Sequence, residues 1–194
     1  AQTLYDRIAA LGLSIDVLIN NAGFGVHGPF VDSPWEKDEE MLLLDIVALT
    51  HLTKLYVRDM LTRDRGWVLQ VSSIGAYQPS PTYAAYSAAK SYVLSFGEAL
   101  SYELRGSNVK MTVLSPGVTE TEFLAVAGQR RTLFQRMSIM PSRPVAEIGI
   151  DAMLRGKPSK VAGAMNALTA WSLRFVPRRL QAAMANVAMQ VGAK

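Results

Sequence analysis

Cysteine is absent from this 194-residue chain, and histidine occurs only twice, as His27 and His51. Without thiols there is no disulfide framework, no thiolate zinc site and no cysteine nucleophile. Neither histidine stands at a metal-ligand spacing, so no metal is expected. The lack of cysteine fits a reducing, cytoplasmic setting. Charge is sparse as well: 19% of residues are charged against 49% hydrophobic, a balance that excludes an intrinsically disordered chain. Twenty basic against sixteen acidic residues leave a net charge of +4 and a pI near 9.4, too mild an excess to imply nucleic acid. Long apolar runs are missing too. The longest charge-free stretch, Gly66 to Ala89, is interrupted by Gln70, Gln78, Pro79 and Pro81, whereas a spanning helix needs about 20 predominantly apolar residues. The opening AQTLYDRIAALG is amphipathic and carries Asp6 and Arg7, unlike the apolar core of a secretory signal. No G-x-S-x-G occurs, which removes the serine-hydrolase elbow. At this length one domain, residues 1–194, with a substantial core is expected.

What is present is an alternation of helical and strand periods. After the opening helix, the apolar run Ile15–Ile19 stops at Asn20-Asn21-Ala22-Gly23. A glycine-rich loop leads to Ser33-Pro34-Trp35-Glu36, which reads as an N-cap serine followed by proline at the first helical position. The long helix that follows, to about Leu61, repeats apolar residues at spacings of three and four. Trp67–Val71 is a second buried strand, ended by Ser72-Ser73; a second long helix spans about Thr82–Leu104. Val109–Leu114 is a third strand closed by Ser115-Pro116-Gly117. A helix near Val145–Leu154, a short strand at Lys160–Ala162 and a helical tail over 164–191, broken at Pro177, complete the chain. Strand and helix alternating in this way predict an α/β fold with a parallel sheet. Ligands of such sheets bind beyond the carboxyl ends of the strands, where the three polar clusters all fall.

Tyr86 and Lys90, four residues apart on a helix, share one face. An ammonium beside a phenol favours the phenolate and lowers its pKa from near 10, which makes a general acid/base for an alcohol or carbonyl oxygen. Seven tyrosines and seven lysines give about 0.25 such spacings by chance, so the pair gains weight only from its surroundings. Ser73, thirteen residues earlier at a strand end, offers a hydroxyl to the same oxygen. Small residues at Ala22, Gly23 and Gly117 would let a flat ligand approach the backbone.

Taken together these motifs resemble the short-chain dehydrogenase/reductase family. Asn20-Asn21-Ala22-Gly23 looks like its NNAG motif, Ser73 like its catalytic serine, and Tyr86-Ser87-Ala88-Ala89-Lys90 like its YxxxK; Pro116-Gly117 with Thr121 is similar to its PG motif and following threonine. The resemblance, over about Asp16 to Ala162, implies a Rossmann-like doubly wound parallel sheet flanked by helices. It also implies hydride transfer between NAD(P)(H) and a small carbonyl or alcohol substrate. Tyr86 would be the proton donor or acceptor, and Lys90 would tune it and hold the nicotinamide ribose. Ser73 would orient the substrate oxygen, and Asn20 would contact the adenosine ribose side. Ala22, Gly23, Pro116, Gly117, Thr119 and Thr121 would line the cofactor cleft, with NADP favoured over NAD.

The chain departs from the family in two places. The family's opening strand and glycine-rich turn, about two βα units, have no counterpart here, so the native product is expected to be longer and these residues a remnant of it. The position of a relay asparagine is held by Asp45, which would hold a water while altering the electrostatics of the relay. Residues 118–142, with Glu120, Glu122, Phe123, Arg130, Arg131, Phe134, Met137 and Met140, correspond to the family's substrate lid. The two long helices correspond to its dimer interface, implying a homodimer or homotetramer. The tail reads as a helix packed on its own domain or on a partner in preference to a membrane surface. The alternative left open is a non-catalytic interaction subunit that keeps the fold but binds no dinucleotide.

Overall fold

In the computed structural model, which describes residues 1–121, 123–127 and 139–190, four parallel strands form the main sheet. They are β1 (Val17–Asn20), β2 (Gly66–Val71), β3 (Val109–Ser115) and β6 (Ser159–Val161), in the order β1-β2-β3-β6. A second, two-stranded sheet pairs β4 (Thr119–Glu120) with β5 (Met140–Pro141), also in parallel. The helices are α1 (Gln2–Ala10), α2 (Trp35–Leu42), α3 (Leu49–Thr62) and α4 (Ala84–Glu103), followed by α5 (Phe123–Val126), α6 (Ser142–Leu154), α7 (Ala164–Ser172) and α8 (Arg178–Gln190). The parallel sheet between helices matches the Rossmann-like architecture that the alternating periods imply.

Helices cover both faces of the sheet because successive strand residues point to opposite sides. Val68, Val109 and Met111 pack with Tyr56, Val57 and Met60 of α3 and with Leu104 on one face. The neighbouring Leu69 and Leu114 pack with Val145 and Met153 of α6 on the other. This two-sided burial is why β2 and β3 read as continuous apolar runs. Helix α4 approaches β3 closely: a Cβ on Gly97 would lie 2.2 Å from Val113 Cγ2, so only glycine fits there. At the other side of the sheet β1 is an edge among the described strands, with Val17 and Ile19 exposed.

Two local expectations change. The long helix is not uniformly α: Leu43–Ala48 is a π-helical segment between α2 and α3. Ser33 does not cap α2 through its side chain. The Lys37 and Asp38 amides donate to the Pro34 carbonyl, while the Ser33 hydroxyl is drawn to the Phe30 carbonyl and the Asp38 carboxylate. The lid segment 118–142 is joined at its base by the β4–β5 pairing. Glu122, Arg130, Arg131, Phe134 and Met137 lie outside the described residues.

Candidate active site

Strand register sets the site. Asn20 lies opposite Gln70, Val71 opposite Leu114 and Ser115 opposite Val161, so the strands end together and their following turns converge. Backbone bonds tie those turns: Ser72 N donates to Leu114 O at 2.8 Å and Ile74 N to Pro116 O at 2.7 Å. Above them opens a cleft of about 1070 Å³, walled by the strand tips, α4, the base of the lid and α6.

Tyr86, Lys90 and Ser73 all line this cleft. The Tyr86 phenol is hydrogen-bonded to Ser73, whose Oγ also accepts from Gly75 N at 3.1 Å. The start of α4 is thereby coupled to the tip of β2. One turn deeper, the Ser72 hydroxyl donates to the Lys90 carbonyl at 2.8 Å and pins the helix a second time. Lys90 is buried, and its Nζ is 2.9 Å from Asp45 Oδ2 and 3.3 Å from the Val71 carbonyl. The same Nζ sits 5.7 Å from the centre of the Tyr86 ring. Asp45 is fully buried in the π-helical segment, a local widening often found at functional sites. Burial pushes the Asp45 carboxyl above the usual aspartate range, while Lys90 and the Phe24 backbone amide pull it down.

The phenol is not acidified in the way the Tyr86/Lys90 spacing predicts. Burial pushes Tyr86 above its ordinary value, and the charges of Asp45 and Tyr83 add to this; only the Ser73 hydrogen bond acts in the opposite sense. Desolvation is the main cause, and the partner that Lys90 finds leaves it uncompensated. Its ammonium is drawn onto the Asp45 carboxylate, and a paired cation stabilises a nearby phenolate much less than a free one.

The remaining residues divide. Gly23, Pro116, Gly117, Thr119 and Thr121 line the cleft, whereas Asn20, Ala22 and Asp45 do not. Asn20 is buried with its amide donating to Thr53 Oγ1 at 2.9 Å, so its side chain serves α3; Asn21 is the asparagine that lines the cleft. Gly23 is required from behind, because a Cβ there would lie 2.6 Å from Asp45 Oδ1 and 3.0 Å from Lys90 Nζ. Gly117 is required in the same way by Asn166, whose Nδ2 would be 2.3 Å from a Cβ. These glycines make room for side chains of the protein itself. Thr119 Oγ1 donates to the Gly117 carbonyl at 3.1 Å, and Thr121 Oγ1 accepts from Phe123 N at 3.3 Å to start α5.

Several wall residues escaped the sequence reading. Tyr83 and Phe123 flank Tyr86 with ring centres 5.7 and 5.2 Å away, forming an aromatic wall. His27 lies beyond Tyr83, its ring tilted against the phenol ring with centres 5.0 Å apart, and its burial lowers its pKa. Phe123 was visible only as one aromatic in the lid. The i, i+3 spacing of Tyr83 and Tyr86 was the available signal for the other pair.

Comparison with known proteins follows from this geometry. The short chain dehydrogenase family model matches residues 1–132. Dehydrogenase/reductase SDR family member 4 of Bos taurus is 31% identical over 163 residues, covering 84% of this chain but 55% of that protein. The chain thus spans about half the length of that curated relative. A solved 7beta-hydroxysteroid dehydrogenase superposes with a TM-score of 0.80 at 24% identity, covering 92% of this chain and 70% of that one, which shows the fold alone. A short-chain dehydrogenase from Sphingobium yanoikuyae in complex with NADPH superposes with a TM-score of 0.72 at 26% identity, covering 87% of this chain and 68% of that one.

Proposed function

The chain belongs to the short chain dehydrogenase family, and from that premise we propose that it serves NAD(P)(H)-dependent reduction of a small carbonyl substrate, with Tyr86 as proton donor. The observation that carries this reading is the phenol of Tyr86 hydrogen-bonded to Ser73 in the cleft, with the buried Lys90–Asp45 pair behind it. A protonated phenol is suited to give its proton to a carbonyl oxygen, the step that reduction requires. Ser73 donates a hydrogen bond to the same oxygen and fixes it in reach of the phenol. Asp45 acts as a positioning residue, holding the Lys90 ammonium in place of a relay water.

The donor set fits the nicotinamide half of a dinucleotide. Lys90 would hold the ribose hydroxyls, Thr119 and Thr121 the carboxamide, and Gly23, Pro116 and Gly117 the cleft floor, all of them cleft-lining residues. When bound, the nicotinamide supplies the hydride. NADPH in the Sphingobium yanoikuyae relative supports such a cofactor and favours NADP as the first to test. Exposed Leu43 and Val47 on the long helix are consistent with a homodimer through the two long helices. No described helix is long and apolar enough to cross a membrane, and the cysteine-free sequence supports a cytoplasmic setting. The test is turnover of NADPH with a panel of ketones and aldehydes by the full-length protein and its Tyr86→Phe variant. Loss of turnover with retained NADPH fluorescence enhancement supports the reading; equal rates overturn it. Absence of both turnover and nucleotide binding in the parent protein would favour the non-catalytic alternative.

A further inference from the structure

The net positive charge of the sequence comes from its C-terminal part. All sixteen acidic residues precede Ala164, whereas Arg174, Arg178, Arg179 and Lys194 follow it. Residues 1–163 therefore carry sixteen basic and sixteen acidic side chains, and the whole net charge of +4 resides in the tail.

The same segment carries an unusual apolar surface. Helix α7 buries Asn166 and Ala170, followed by Leu173, against the body of the protein. Its opposite stripe, Met165, Leu168 and Trp171, continues into Phe175 and stands in solvent, with Met165 at 75% and Phe175 at 71% exposure. Trp171 and Phe175 meet edge to face, their ring centres 5.0 Å apart. Helix α8 repeats the plan: Gln181 and Ala185 are buried, while Leu180, Met184 and Val187 are more than half exposed. The expectation that the tail packs on its own domain thus holds for only one face of each helix.

We propose that this tail docks the protein on an anionic lipid surface. The pattern is that of an interfacial helix pair: an apolar stripe with a tryptophan, Arg174 between the helices, Arg178 and Arg179 at the start of α8, and no acidic residue. Charge complementarity selects the occupant. Arginines near an anionic leaflet are attracted through its surface potential, whereas a second copy of the same tail would bring like charges together. The stripe also lies at the far end of the sheet from β1, because α7 follows and packs on β6. Leu173, just beyond α7, is buried and lines the cleft from the side away from the stripe, so docking leaves that part of the cleft wall in place.

The test is co-sedimentation with vesicles of phosphatidylcholine alone or with about 30 mol% phosphatidylserine. Partitioning at least roughly tenfold stronger to the anionic vesicles at low salt, and reversed at about 0.5 M NaCl, is expected. The Arg178→Gln/Arg179→Gln variant should lose about fivefold per arginine removed. Trp171→Ala/Phe175→Ala should abolish binding while circular dichroism and thermal unfolding stay unchanged. Equal binding to neutral vesicles, or no binding to either, overturns the proposal. So does a dimer in sedimentation equilibrium that Phe175→Ala dissociates, because a second copy would then cover the stripe.

Discussion

Two buried polar clusters lie beneath the ends of the same strands, and they are built on opposite plans. In the first, the amides of Asn20 and Gln70 both donate to Thr53 Oγ1, at 2.9 and 3.1 Å, and the threonine donates to the Leu49 carbonyl at 2.7 Å. Every group is neutral and none lines the cleft, although the Gln70 Oε1 finds no hydrogen-bond partner among the described residues. In the second, Asp45, Lys90, Tyr86 and Ser73 form a charged chain that ends at the cleft. Thr53, Gln70 and Asp45 are all fully buried, so burial of polar groups does not by itself mark a site. The difference lies in charge and in access. A neutral network away from the cleft holds elements together; an ion pair with one end open to a ligand stores an electrostatic bias that a reaction can use.

The comparison can be sharpened by substitution. The largest expected effect is on chemistry: Tyr86→Phe in the full-length protein should lower kcat by about 10²–10⁴-fold with little change in melting temperature, measured by NADPH consumption and calorimetry. Next, breaking the charged cluster by Asp45→Leu should leave the Lys90 ammonium buried and unpaired. A loss of about 3–5 kcal/mol in denaturant unfolding is expected. Thr53→Val, in the neutral cluster, should cost about 1–3 kcal/mol by stranding the two amides. Its turnover per folded molecule should change far less than that of Tyr86→Phe; an equal loss would erase the distinction between the clusters.

The smallest effect separates the roles of charge and shape. The Asp45 carboxylate raises the Tyr86 pKa, so Asp45→Asn, which keeps the shape and removes the anion, should ease ionisation of the phenol. Reduction requires the protonated phenol and fails as pH rises through its pKa. Difference ultraviolet titration against the Tyr86→Phe variant should therefore show the phenol beginning to ionise at lower pH in Asp45→Asn; an onset unchanged or later would exclude Asp45 from the electrostatics of Tyr86. Stability gives an independent reading. Asp45 is raised above the unfolded aspartate value, so its contribution is present below that value and is lost as pH rises through the folded pKa. The Asn variant should lack that part of the pH dependence in thermal unfolding.

Much of the architecture was legible in the residues. The apolar runs ending at Asn20, Ser72 and Ser115 located three strands to within a residue or two, because strands buried on both faces leave no polar alternation. The face shared by Tyr86 and Lys90 followed from helical geometry alone, as did the tail break at Pro177, which falls between Phe175 and Arg178. Other features had no local signal. That the Asn20 side chain turns to Thr53, thirty-three residues away, while Asn21 lines the cleft has no local signal, because either asparagine of the pair fits the motif equally well. The glycines were assigned to ligand approach because no local pattern shows that Asp45 and Asn166 stand behind them.

Sequence by itself determined the alternating elements and the family, since each rests on periodicity or on short motifs within one turn or one strand end. Tertiary structure alone decided what Lys90 touches. The π-helical segment brings Asp45 to its ammonium across forty-five residues, and burial of the phenol, with the Asp45 charge added, pushes the Tyr86 pKa up, against the direction that Lys90 alone suggests.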